Sequence, residues 1–245
     1  MACSDRLSPA LRLALWFTSW ARGEASLDHA RDGVVGADAA HDVYDAGTDT
    51  EPVPLILALG RLRARGARAA TPALPVPGDP LGLGGPPDFN AEALEAGEAV
   101  VLDGPALGLV PRRAGAGVVW TVHPAEPPRH LPSVAEADVE LRHAVLRTAS
   151  ALADLDVARW RPEVADELTG LRAAEDLALP PTVEPRAVRL LDLGARCRRI
   201  VDLALTDDGA SITAAESEAR RVALRPLDHA ARRAVVAACS PTEGR

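Results

Sequence analysis

Apolar positions change rhythm along this chain. Leu13, Trp16, Phe17 and Trp20 recur at i, i+3, i+4 and i+7 behind Ser8 and Pro9, a cap residue and a residue suited to the first helical turn. Leu11, Ala14, Leu15 and Thr18 lie on the adjacent face. A helix apolar over most of its circumference is expected to be buried on more than one side. Ser26 opens a short second helix that Gly33 or Gly36 ends. His41 to Ala46 alternates weakly, as a short strand does. Pro52 to Arg65 reads as a third helix with Leu55, Leu59 and Leu62 on one face and Gly66 after it.

The middle third shortens its period. Ala67 to Leu74, Glu98 to Leu102, Leu107 to Arg112 and Val118 to His123 are short, β-compatible runs bounded by Gly and Pro. The last two flank the sequence AGAG and predict a hairpin. Between the first two lies PVPGDPLGLGGPPDFN, residues Pro75 to Asn90, after which Asn90 is expected to cap a short helix from Ala91 to Ala96.

The stiff stretch PAEPPRHLP, residues 124–132, reads as a connector. Beyond it the helical period takes over. Ser133 opens a long helix with a seam at Leu141, Val145, Thr148, Leu152 and Leu155. Pro162 starts another helix, with Gly170 in or near its end. Leu190, Leu193, Cys197, Ile200 and Ala204 form one stripe between Ala187 and Leu205. Ser211 to Leu224 and Leu227 to Ala238 follow as two helices, with Arg225 and Pro226 as the break. The expected architecture is α+β. N-terminal helices surround a small, mostly antiparallel sheet in residues 1–123, and residues 133–245 form a helical module packed on it across the 124–132 connector.

Composition narrows the chemistry. The chain has 245 residues, 47% of them hydrophobic and 25% charged, which suits a soluble globular protein with a substantial core. Its 27 Lys+Arg residues are all arginine. A P-loop lysine, a Schiff-base lysine and a Ser–Lys pair are therefore excluded, because arginine does not deprotonate at workable pH. The net charge of −8 argues against a general nucleic-acid or anionic-membrane coat. The stretch from Leu7 to Trp20 is too short to span a bilayer and is interrupted by Arg12. Cys3, Cys197 and Cys239 are odd in number and widely spaced, so neither a disulfide framework nor a zinc framework is expected, and a cytoplasmic location fits.

No standard catalytic motif is present: no GxSxG, HExxH, GxGxxG, EF-hand loop or CxxC. The Pro/Gly segment is the most informative stretch without a period. As a contact loop it offers Asp79, the backbone of Gly82, Gly84 and Gly85, and Asn90 as ligand-binding residues. Read plainly, it is a crossover that packs Leu81, Leu83 and Phe89. Asp28, His29, Asp32, Asp38, His41, Asp42 and Asp45 are the residue types of a carboxylate–imidazole site, but their spacing matches no ligand set. They read first as a solvated acidic surface, and no metal or cofactor is assigned. His123, His130 and His143 bracket the connector as acid–base candidates.

The segment PVPGDPLGLGGPPDFN with the following LEAGEAVVL, together with the N-terminal LALWFTSW helix, resembles a family of uncharacterised actinobacterial proteins of similar length. The resemblance covers roughly the first half of the chain and implies a host group, with no activity, cofactor or catalytic residue attached.

Three functional readings follow. The first is a binding or protein-interaction protein whose partner is a protein or small molecule, with self-association compatible. The second is an enzyme with an unfamiliar Asp/His acid–base or metal site. The third is an anion or nucleic-acid partner for Arg196, Arg198, Arg199, Arg220, Arg221, Arg232 and Arg233. Ion pairing with Asp192, Asp202, Glu216 and Glu218 competes with that last reading.

Overall fold

A computed structural model of the chain describes residues 7–154, 177–206 and 214–241. The predicted helix from Pro162 to Gly170 lies outside them. The chain divides into two compact units. One comprises residues 1–131, 177–184 and 239–245, and the other residues 132–176 and 185–238.

In the first unit, helices α1 (Pro9–Ala21), α2 (Leu27–Val35) and α3 (Leu55–Ala64) lie against one face of a six-stranded sheet. Its strands are β1 (His41–Tyr44), β2 (Val53–Pro54), β3 (Ala69–Ala73), β4 (Ala99–Asp103), β5 (Leu107–Ala114) and β6 (Gly117–Pro124), and their spatial order is β2-β1-β6-β5-β4-β3. All neighbours are antiparallel except β1 and β6, where Val43 lies opposite Trp120. This is the expected α+β class with a mostly antiparallel sheet. The AGAG hairpin is present: Ala114 pairs with Gly117, and Gly115 takes the turn at φ +59°.

Alternation sorts the strands between two cores. Val100, Leu102, Leu107, Leu109, Val118, Trp120 and Val122 face α1–α3, while Ala73, Ala99, Val101 and Val110 face α4 (Pro87–Ala96) with its Phe89 and Ala93. Covered on both faces, β4 is a continuous apolar run and not an alternating one. Trp120 and Phe17 are fully buried, and removing such a side chain from water contributes about 2–3 kcal/mol. As its pattern requires, α1 is buried nearly all round. Trp16 lies over Gly33, where a Cβ would come within 2.2 Å of the ring, and its indole N–H donates to Ala178 O at 3.2 Å. Trp20 meets Phe17 edge-on at 5.7 Å. Both tryptophans anchor packing.

Two boundaries move. The third helix starts at Leu55, because Val53 and Pro54 pair as β2 with β1. Asn90 does not cap a helix from Ala91. The helix starts at Pro87, with Pro86 at its N-cap, and Asn90 already donates its N–H to Pro86 O at 3.0 Å. A proline in the first turn has no N–H to waste, so the prolines begin this helix where they read as loop.

In the second unit, α5 (Val134–Asp154) opens on a capping box. Glu136 N donates to Ser133 Oγ at 3.2 Å and Ser133 N donates to Glu136 Oε2 at 2.9 Å. Its buried line is Ala137, Leu141, Ala144 and Thr148, with Val145 and Leu152 half-buried beside it. In α6 (Pro185–Thr206) the buried stripe runs through Leu190, Leu191, Gly194, Cys197, Val201 and Ala204, so Leu193 and Ile200 only flank it. Gly194 seats the helix against Val235 and Ala231 of α7 (Ala214–Cys239), leaving no room for a side chain. The break expected at Arg225 and Pro226 is absent, because α7 runs through Pro226. Pro226 and Val222, whose carbonyl loses its helical donor, both lie on the exposed side of the helix, where a missing helical bond costs least.

Candidate functional site

The most elaborate polar arrangement is buried beside the parallel strand pair. Asp38, in the loop between α2 and β1, receives Arg12 from α1, Arg113 from β5 and His41 from β1. His41 Nε2 lies 2.9 Å from Asp38 Oδ2, and Trp120 Nε1 donates to His41 Nδ1 at 3.2 Å. That second bond assigns the tautomer: Nδ1 accepts, so the single ring proton sits on Nε2 and points at Asp38. Burial lowers the His41 pKa below 6.5, outweighing the hydrogen bond that His41 donates to Asp38, which raises it. Burial alone would raise Asp38, but hydrogen bonds from His41, Arg113 and Arg12 hold its carboxyl down to about 2.

An ionised Asp beside a neutral His has the composition of a general-base dyad, but both imidazole nitrogens are engaged and the ring is fully enclosed. No lone pair faces a cavity, so the cluster ties α1, β1, β5 and β6 together and has no base to offer a substrate.

The other sequence candidates stand apart. Of the seven acidic and histidine residues between Asp28 and Asp45, the structure joins Asp38 to His41. His29 is exposed on α2. Asp45 pairs with Arg65 at 2.6 Å. Among the described residues, no group of three or more His, Cys, Asp or Glu side chains is arranged to hold a metal. His123 packs beside Phe89 at 6.2 Å, and His130 and His143 are exposed. Cys197 and Cys239 are buried free thiols, and burial pushes Cys197 up to about 11. The C-terminal arginines find carboxylates: Arg196 with Asp192, Arg221 with Glu218, Arg232 with Asp228 and Arg233 with Glu140.

The Pro/Gly segment is ordered onto its own unit. Val76 and Asp79 close a turn through paired backbone bonds of 3.0 and 2.9 Å, and Leu74 N donates to Leu81 O at 3.1 Å. A Cβ on Gly82 would stand 2.7 Å from Ala73 Cα, and one on Gly84 would stand 2.3 Å from Pro127 O. Gly85 precedes a cis peptide bond to Pro86. Leu81 and Phe89 are buried, so the segment does pack as a crossover. Asn90 Oδ1 is buried and meets no hydrogen-bond donor among the described residues.

A cleft that the sequence did not signal lies at the far end of β1. The turn after Tyr44 carries Asp45 and Asp49, and the chain returns through β2 into α3, leaving a hollow of about 390 Å³. Val43, Val53, Leu62 and Val122 form its apolar walls. Arg61 and Arg65, one helical turn apart, reach across its mouth to Asp49 and Asp45 at 2.7 and 2.6 Å. Of its polar lining, Asp45 alone stood out from the sequence; the i, i+4 spacing of Arg61 and Arg65 is the further signal that could have found it. The arginines are 54% and 43% exposed, whereas Asp49 and Asp45 are 9% and 18% exposed and line the same cleft, so each guanidinium keeps solvent-facing N–H groups beyond the one its aspartate takes.

Comparison with known proteins places these features in context. A family model described as Rv1486c-like protein, N-terminal domain, matches residues 10–136, and one described as Rv1486c-like protein, C-terminal domain, matches residues 135–236. The chain is 31% identical to uncharacterized protein Rv1486c of Mycobacterium tuberculosis, over 94% of this chain and 95% of the relative. It is 27% identical to uncharacterized protein ML1804 of Mycobacterium leprae over the same shares. No solved structure matches. Among the described residues, no helix is long and apolar enough to cross a membrane.

Proposed function

Because the chain belongs to the Rv1486c-like family, an actinobacterial family of unknown function, we propose its role from its own geometry: a cytoplasmic binding protein that takes a small amphipathic anion in the cleft beside α3. The observation that carries this is the pairing of apolar walls with two surface arginines on one helical face. An apolar body gains from leaving water against Val43, Val53 and Val122, and a carboxylate, sulfonate or phosphate end takes the guanidinium N–H groups of Arg61 and Arg65 that their bonds to Asp49 and Asp45 leave open. Two buried, free thiols favour a reducing compartment.

The test is titration with an anilinonaphthalene sulfonate probe, which has an aromatic body and an anionic end. Saturable fluorescence with one site is expected. Val53→Trp should abolish it by filling the cleft, and Arg61→Gln with Arg65→Gln should weaken it about tenfold, the scale of one lost charge-assisted contact. Probe binding that ignores all three substitutions overturns the reading.

A second contact surface rests on Asn90, together with Asp79, Gly82, Gly84 and Gly85. The carboxamide oxygen of Asn90 is buried and receives no donor among the described residues, so a partner's N–H or O–H group would satisfy it once the segment shifts to admit it. Loss of a bound partner in Asn90→Leu, with probe binding at the cleft intact, would favour it.

A further inference from the structure

One side of α5 faces the core of its unit, and the side directly opposite carries a second apolar line. Ala135, Val139 and Leu146 lie along it, with Val139 53% and Leu146 68% exposed. Val139 and Leu146 are seven residues apart and so stand above one another on the helix. Charge along the flank of this line is divided. Glu136 and Glu140 occupy the N-terminal half, His143 and Arg147 the C-terminal half.

From this arrangement we propose that the outer face of α5 is a self-association surface, on which a second copy of the chain docks its own α5 antiparallel about a two-fold axis. An axis passing between residues 141 and 143 sets Val139 of each copy beside Leu146 of the other. It also brings Glu136 toward Arg147 of the second copy at both ends, with Glu140 beside His143 as a hydrogen-bonding neighbour. A parallel pairing would instead set this flank against the Asp138 and Arg142 flank of the other copy, and Glu136 would not meet Arg147.

The remaining charges fit. Arg142 comes close to its own counterpart near the axis, but Asp138 neutralises it at 3.0 Å within the same helix, with Arg186 4.0 Å from Asp138 on the other side. Glu140 already receives Arg233 at 3.1 Å, with His229 at 3.7 Å, and Glu136 accepts from Ser133 in its own helix cap, so the end charges only steer the approach and the Val139 and Leu146 contacts hold the two copies. Two apolar side chains per copy make a small interface. The dimer is therefore weak and reversible, in the micromolar range.

The experiment is sedimentation velocity of the full chain from about 1 to about 200 μM. The wild type should move from monomer to dimer over that range. Leu146→Glu and Val139→Arg, each at an exposed position that the fold does not need, should each raise the dissociation constant at least about tenfold. The double variant carries both substitutions and should regain dimerisation, because each new glutamate then faces a new arginine of the other copy. Within one helix those positions are too far apart to repair each other. A wild type that stays monomeric at about 200 μM overturns the proposal, as does a dimer unmoved by Leu146→Glu or a double variant that is not rescued. Circular dichroism of each variant confirms that the helices are intact.

Discussion

Trp120 sits one pleat beyond the residue opposite His41 on the neighbouring parallel strand, and its indole N–H reaches diagonally to His41 Nδ1 at 3.2 Å. That bond decides the charge of a buried histidine. Protonating Nδ1 would set two N–H donors against each other inside the core, so His41 stays neutral and its other nitrogen serves Asp38.

Stability should therefore fall on acidification in two stages. The folded His41 pKa lies below 6.5, so the unfolded chain binds the extra proton first and stability is lost as pH drops below about 6.5. Asp38, held at about 2 against an ordinary 3.8, adds a second loss as pH falls from about 4 toward 2. Urea midpoints measured from pH 8 to 3 should show both. His41→Asn should flatten the first stage and shrink the second, because the His41 hydrogen bond helps to hold Asp38 low.

Trp120→Phe keeps most of the ring volume and removes the donor. The cost should be about 2–4 kcal/mol at neutral pH, from a small cavity and an unsatisfied Nδ1. His41 should also become easier to protonate, which an NMR titration of its ring proton would report. An unchanged titration would mean that the indole bond does not control the charge.

Asp38→Asn removes the carboxylate that faces Arg12, Arg113 and His41 in a nearly enclosed site. The expected loss is about 3 kcal/mol, the scale of a broken buried ion pair. Equilibrium unfolding in urea measures it.

Gly84→Ala tests why glycine occupies the Pro/Gly segment. Its Cβ would meet Glu126 and Pro127 carbonyls at 2.4 and 2.3 Å, so the backbone must shift, at a cost of about 1–3 kcal/mol. Full stability in that variant would show that the close approach is not needed for packing.

Pro226→Ala should act in the opposite direction. It restores a helical N–H to Val222 in the interior of α7 at an exposed position, and should stabilise the protein by about 1–3 kcal/mol. A thermal unfolding scan reads the gain.

Local pattern was legible wherever one chemical signal acted over a few residues. Ser8 stands at the N-cap position of α1 before Pro9, although its hydroxyl makes no cap bond; Ser26 caps α2 through the His29 N–H, and AGAG turns the β5–β6 hairpin, because such caps and turns satisfy backbone groups within their own neighbourhood. The switch from sheet to helices after the proline connector was legible for the same reason: burial of one face imposes its own period. What needed tertiary structure was every choice set by a distant partner. Arg12 reads as an interruption in an apolar helix until Asp38, 26 residues on, is found beside it. Pro226 reads as a break until its exposed side is known. The cleft exists because β6 brings Val122 beside the turn after β1, and no spacing along the chain records that meeting. Side chains far apart in sequence share a cavity only through strand order, and strand order depends on the packing of the whole sheet.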